Sequence, residues 1–180
     1  MTQRFIALLR GINVTGRNTI PMAELRAECE RLGWSGVVTY INSGNVIFGA
    51  RGKPAALEAA LEAAIQRRFG FAIPVLVRAA ADWPALVKAN PFASACATDP
   101  SRVMLCLAKG PLGAQVAEEL TARAAAGERV QQAGEALWIH FPEGVARSKL
   151  SPAAMDRAAG SPVTARNWRT ATKLLELCGA

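Results

Sequence analysis

The order in which apolar runs and helical repeats alternate over the first eighty residues leaves few folds open. Arg4–Leu9 is a short apolar run that reads as a buried strand. Residues 11–20 form a loop with two Gly and two Asn. Pro21 suits the first turn of a helix. Met22, Leu25, Cys29 and Leu32 then recur at helical spacing, and Gly33 stops the run. Val37–Ile41 and Val46–Phe48 are β-rich, and Asn42-Ser43-Gly44-Asn45 joins them as a tight turn. Pro54 opens a second helix with Leu57, Leu61, Ile65 and Phe69 on one face, and Ile73–Val77 is a fourth strand. The resulting β-α-β-β-α-β order is that of the ferredoxin-like split βαβ unit.

The second half follows the same logic less cleanly. Trp83–Ala89 reads as a short helix, Asn90-Pro91-Phe92 as a break and Val103–Leu107 as a strand. Leu112–Ala126 reads as a helix, Arg129–Gln132 and Leu137–Phe141 as a hairpin, and Ser151–Ala159 as a helix with Pro152 at its first position. After Pro162 a last helix is expected, capped by Thr164 or Asn167 and running to about Cys178. The expectation is therefore an α+β fold of two ferredoxin-like halves. The second half is a decayed copy, with a C-terminal helix where the fourth strand would stand. The halves are placed at residues 1–80 and 81–180, in one compact unit.

Composition restricts the chemistry. Hydrophobic residues make up 51% of the 180 and charged ones 19%, enough to bury a core. Lys and Arg number 21 against 14 Asp and Glu, a net charge of +7, with the excess at both ends of the chain. Cys29, Cys96, Cys106 and Cys178 form no C-x-x-C pair, and His140 is the only histidine, so no metal site or cofactor is expected. Thiols on apolar faces suit a cytoplasmic protein. No run reaches the roughly 18–20 apolar residues of a membrane helix, and the N-terminal run is too short for a signal peptide, so no membrane partner is expected.

Three features invite functional readings. Residues 11–18 nearly fit the phosphate-cradling P-loop, but Arg17 replaces its Lys and Asn18 its hydroxyl, and Pro21 delays the helix. His140, inside Leu137–Phe141, reads as a packed or rim residue without a visible acid or nucleophile partner. An RNA-binding sheet of this topology would expose aromatics on its first and third strands. Here both faces of the first strand are apolar, which argues that both are covered.

Four stretches occur in one order: Leu8-Leu9-Arg10-Gly11-Ile12-Asn13-Val14, residues 40–48, Asn90-Pro91-Phe92 and residues 164–170 around Arg166-Asn167-Trp168. Together they resemble a bacterial family known only as a domain of unknown function, whose members open with L-L-R-G-I-N-V and close with R-N-W. The resemblance spans the chain. It implies an α+β fold with ferredoxin-like subdomains, no established activity and no catalytic residue. The family often has Gly-Gly after I-N-V, where this chain has Thr15-Gly16.

In a ferredoxin-like sheet the first strand lies antiparallel to the third. The end of the first strand and the tip of the hairpin therefore share one edge. That brings the loop from Arg10 to Asn13 beside Asn42–Asn45, so Arg10, Asn13, Ser43 and Asn45 become a candidate site for a small anionic ligand. Asn13 and Asn45 can equally serve only the loop backbone. Arg166, Asn167 and Arg169 join the set if the start of the last helix faces this loop. The leading expectation is a binding module for a small anionic or polar ligand. The alternatives are a metal-independent small enzyme working through Arg and Asn groups, and a nucleic-acid-associated protein.

Overall fold

A computed structural model describes residues 1–179. The chain divides into two compact units, Met1–Pro84 with the residues from Leu174 onward, and Ala85–Lys173. Each unit holds one four-stranded antiparallel sheet.

In the first unit the elements are β1 (Gln3–Leu9), α1 (Met22–Arg31), β2 (Ser35–Tyr40), β3 (Asn45–Ala50), α2 (Pro54–Phe69) and β4 (Val75–Ala79). The sheet order is β2-β3-β1-β4, the ferredoxin-like arrangement. Phe5, Ala7 and Leu9 alternate along β1 onto one face, where they meet Leu25 and Cys29 of α1 and Leu61 and Ile65 of α2 in one core. Trp34 stacks on Phe48 with ring centroids 3.8 Å apart. Pro54 opens α2 and Gly70, in the left-handed conformation at φ 82°, ends it. The backbone of edge strand β4 is partly covered by α2: Val77 N–H donates to Glu58 Oε1 and Val75 N–H to Glu62 Oε1, both at 2.8 Å. Side chains that engage an edge in this way block pairing with a foreign strand.

After α3 (Trp83–Lys88) and α4 (Ala93–Thr98), the second unit runs β5 (Val103–Ala108), α5 (Val116–Arg123), β6 (Arg129–Ala133), β7 (Ala136–His140), α6 (Pro152–Ala159) and β8 (Val163–Asn167). Its sheet order is β6-β7-β5-β8, which repeats the first. The sequence pattern predicts a helix where this fourth strand stands. The structure corrects it: β8 pairs antiparallel with β5 from Val163 opposite Ala108 to Asn167 opposite Met104, and α7 (Trp168–Leu177) begins without an intervening loop. Pairing with β5 supplies what the short strand's own composition does not. The edge device also recurs, since Val163 N–H donates to Asp156 Oδ1 of α6 at 2.9 Å.

Helix α5 is shorter than the expected 112–126. Glu128 Oε2 accepts the N–H groups of Ala125 and Ala126 at 3.0 and 2.8 Å, which draws the chain out of the helix. One core joins Cys106, Val116, Leu120, Leu137, Ile139 and Phe141. Trp138 is fully buried, and its ring lies 5.8 Å from that of Trp168. Among the described residues no helix is long and apolar enough to cross a membrane.

Candidate functional site

The loop after β1 is fixed to the β2–β3 turn by main chain and side chain together. Leu8 stands opposite Asn45, and Leu9 N–H donates to Gly44 O at 2.8 Å. Gly44 sits at φ 79°, where a Cβ would fall 2.7 Å from Leu9 Cβ and Ile12 Cδ1, so only glycine permits this approach. Asn13, at φ 54°, closes the loop on itself and on the turn. Its Nδ2 donates to Ile20 O at 3.0 Å and to Asn42 O at 2.8 Å, while its Oδ1 accepts from Ile20 N–H at 2.8 Å. Asn18 Nδ2 donates to Gly11 O at 3.0 Å across the same loop.

Asn45 is fully buried, and its Nδ2 donates to Tyr40 O and to Ser43 Oγ, each at 3.0 Å. These bonds hold a turn in which Ile41 adopts φ 49°, a conformation that β-branched residues avoid. The structure thus brings Arg10, Asn13, Ser43 and Asn45 to one edge. The amide groups of Asn13 and Asn45 engage protein atoms there.

Between this loop and the start of α1 lies a shallow pocket of about 280 Å³, lined by Asn13, Gly16, Thr19, Ile20, Met22 and Asn42 among others. Pro21 precedes α1 and no side chain caps the helix, so its first peptide N–H groups lack a side-chain acceptor. Glu24 in that first turn pairs with Arg68 at 2.6 Å. Glu28, one turn further along α1, is buried and contacts both Arg31 and Arg68. Arg10 follows β1 with its N–H on Pro74 O at 3.0 Å and does not line the pocket. The loop is not a P-loop: Arg17 N–H closes a tight turn on Val14 O, and the helix starts only at Met22.

Arg166, Asn167 and Arg169 belong to the second unit. Arg166 is 8% exposed, and burial pulls its guanidinium down to about 10. Its Nη1 donates to Thr164 Oγ1 and Ala165 O, both at 2.9 Å. Asn167 is the cap of α7, its Oδ1 accepting Thr170 N–H at 2.9 Å. Arg169 is exposed.

His140, a packed or rim residue by its sequence context, faces Arg129, with Nδ1 and Nη2 3.3 Å apart. The signal was available in the hairpin: counting back from a turn at Ala133–Ala136 pairs residue 129 with 140. Among the described residues no three His, Cys, Asp or Glu side chains gather as a metal site.

Residues 1–138 match the family described as "Protein of unknown function (DUF1697)". No curated protein matches the chain. The structure of a conserved bacterial protein from Streptococcus pneumoniae superposes with a TM-score of 0.76 over 99% of both chains, at 25% identity. An unknown protein from Galdieria sulphuraria aligns over 93% of this chain and 99% of that one at 13% identity, with a TM-score of 0.28 that carries no weight for the fold. With the match running from the first strand of one sheet into the third strand of the other, the chain belongs to the DUF1697 family of proteins of unknown function.

Proposed function

We propose that the chain is a binding module for a small anionic or polar ligand, held where the loop after β1 meets the β2–β3 turn. One observation carries the reading: the Asn13 bonds to Ile20 and Asn42 fix a pocket against the start of an uncapped ten-residue helix. Peptide N–H groups at a helix start attract an oxyanion. In this reading Thr19 and Asn42, which line the pocket, supply neutral hydrogen-bonding groups, Ser43 and Asn45 hold the turn that presents Asn42, and Arg10 adds a cation at the same edge of the sheet. Rigidity comes from the same bonds, so the ligand does not have to order the loop.

Isothermal titration at low salt with phosphate, sulfate and mononucleotides tests it. Binding by the wild type, weakened about tenfold or more in Arg10→Ala, is the expected result, as for loss of a hydrogen bond to a charged group. Equal binding by both proteins contradicts it. A steep salt dependence with oligonucleotides alone would favour nucleic acid as the partner instead. The four free thiols, three of them buried, support a reducing, cytoplasmic setting.

A further inference from the structure

One end of the second sheet gathers cations that lie far apart in sequence. Strands β5 and β6 start there, and β7 and β8 end there. Arg129 pairs with His140, His140 with Val103, and Asn167 with Met104, the next residue of β5. With strands about 4.8 Å apart, the row from β6 to β8 spans only about 15 Å. Arg102 immediately precedes β5 and Arg169 follows β8 by two residues.

The side chains are interlocked. Arg129 Nη2 lies 3.3 Å from His140 Nδ1, and its guanidinium stands 5.0 Å over the ring of Phe92. Phe92 is buried and its ring lies 6.1 Å from that of His140. Arg102 binds Pro142 O and pairs through Nε with Asp99 at 2.9 Å. Asp99 also feels the charge of Arg169.

The balance of charge is uneven. Among the described residues Asp99 is the one carboxylate drawn into this group, and its oxygens already serve Ser101 and Arg102. Among the described residues Arg129 and Arg169 have no carboxylate within ion-pair distance. Both are exposed. Two guanidiniums beside an imidazole, and a third acting on the acid next to them, leave a positive field that a multivalent oxyanion would complement. Arg forks match phosphoryl oxygens in geometry as well as charge. The small span suits a compact phosphate group rather than an extended strand of nucleic acid.

From this juxtaposition we infer that the end of the second sheet formed by Arg102, Arg129, Arg169 and His140 binds a small multivalent phosphate, such as pyrophosphate or a phosphate monoester. The inference rests on residues of the second unit alone and does not depend on the reading of the loop after β1. His140 is held below the ordinary imidazole value, first by burial and then by Arg129 and Arg102, with Asp99 opposing. A bound anion reverses that repulsion and raises the imidazole's affinity for a proton.

His140 is the chain's only histidine, so its Cε1–H resonance is a site-specific reporter. Inorganic pyrophosphate is titrated at low salt while that resonance is followed by proton NMR. The expected result is a saturable shift and an upward move of the His140 midpoint. Arg129→Gln and Arg169→Gln should each weaken pyrophosphate about tenfold or more, with thermal melts confirming that each variant folds. Arg10→Ala should leave the His140 response in place, which separates this site from the other. No response of His140 in the wild type, or unchanged affinity in both Arg variants, would overturn the inference. So would a response to a short oligonucleotide with none to pyrophosphate.

Discussion

Asn13 donates through Nδ2 to the carbonyl of Asn42 at 2.8 Å, tying the loop after β1 to the β2–β3 turn 29 residues away. The same amide holds Ile20 through both of its polar atoms. One side chain thus does the work of several main-chain bonds in a loop that crosses the left-handed region at Gly11, Asn13, Thr15, Gly16 and Asn18.

Asn13→Ala is expected to destabilise the chain by about 1–3 kcal/mol, since the Ile20 N–H and two carbonyls lose their partner. Urea denaturation measures it. A change below a few tenths of a kcal/mol would show that water replaces the amide without cost.

Gly44→Ala should cost more than Gly36→Ala. Both glycines have positive φ, but a Cβ at Gly36 meets nothing within 4 Å, whereas at Gly44 it meets Leu9 Cβ and Ile12 Cδ1 at 2.7 Å. The left-handed conformation alone costs about 1–2 kcal/mol, and overpacking adds to it. Equal losses in parallel melts would refute the close approach.

Glu128 contributes stability that depends on pH. The Ser148 hydroxyl first, and then the backbone N–H groups, hold its carboxyl below the ordinary value of 4.5. A carboxyl lowered on folding stabilises above its unfolded value and loses that contribution as pH falls through the folded one. Melting temperature should therefore drop below about pH 4.5 more steeply in the wild type than in Glu128→Gln. Identical acid slopes would show that the carboxylate contributes nothing.

Burial pushes the thiols of Cys29 and Cys106 up to about 12, so neither supplies thiolate at neutral pH. Labelling with an aromatic disulfide reagent, read by mass spectrometry, should modify the half-buried Cys178 first and reach Cys29 and Cys106 only in denaturant. Native modification of Cys106 would contradict the packing around β5.

The first unit was legible because its signals agree. Apolar runs, prolines at helix starts and a Ser-Gly turn all point to one order, and the observed strands lie within two residues of the expected ones, Ile41 excepted. Ile41 was read into β2, but its positive φ places it in the turn. Strand β8 was hidden because Val163 and Thr164 are its only β-branched residues and Asn167 ends the strand while capping α7. The contacts of Asn13 were not legible, although its place beside the turn was. The grouping of Arg102, Arg129, His140 and Arg169 is not legible in the sequence, because only strand order brings residues 40 and 67 positions apart to one sheet end.

The central claim is that the loop after β1 binds an anion, and backbone amide NMR tests it most directly. Phosphate titrated into uniformly labelled protein at low salt should shift the amides of residues 11–23 and 42–45 along one saturating curve. The largest changes are expected at Met22 and Ala23, whose N–H groups open α1. Saturating shifts confined to other segments, or none at all, would contradict the account.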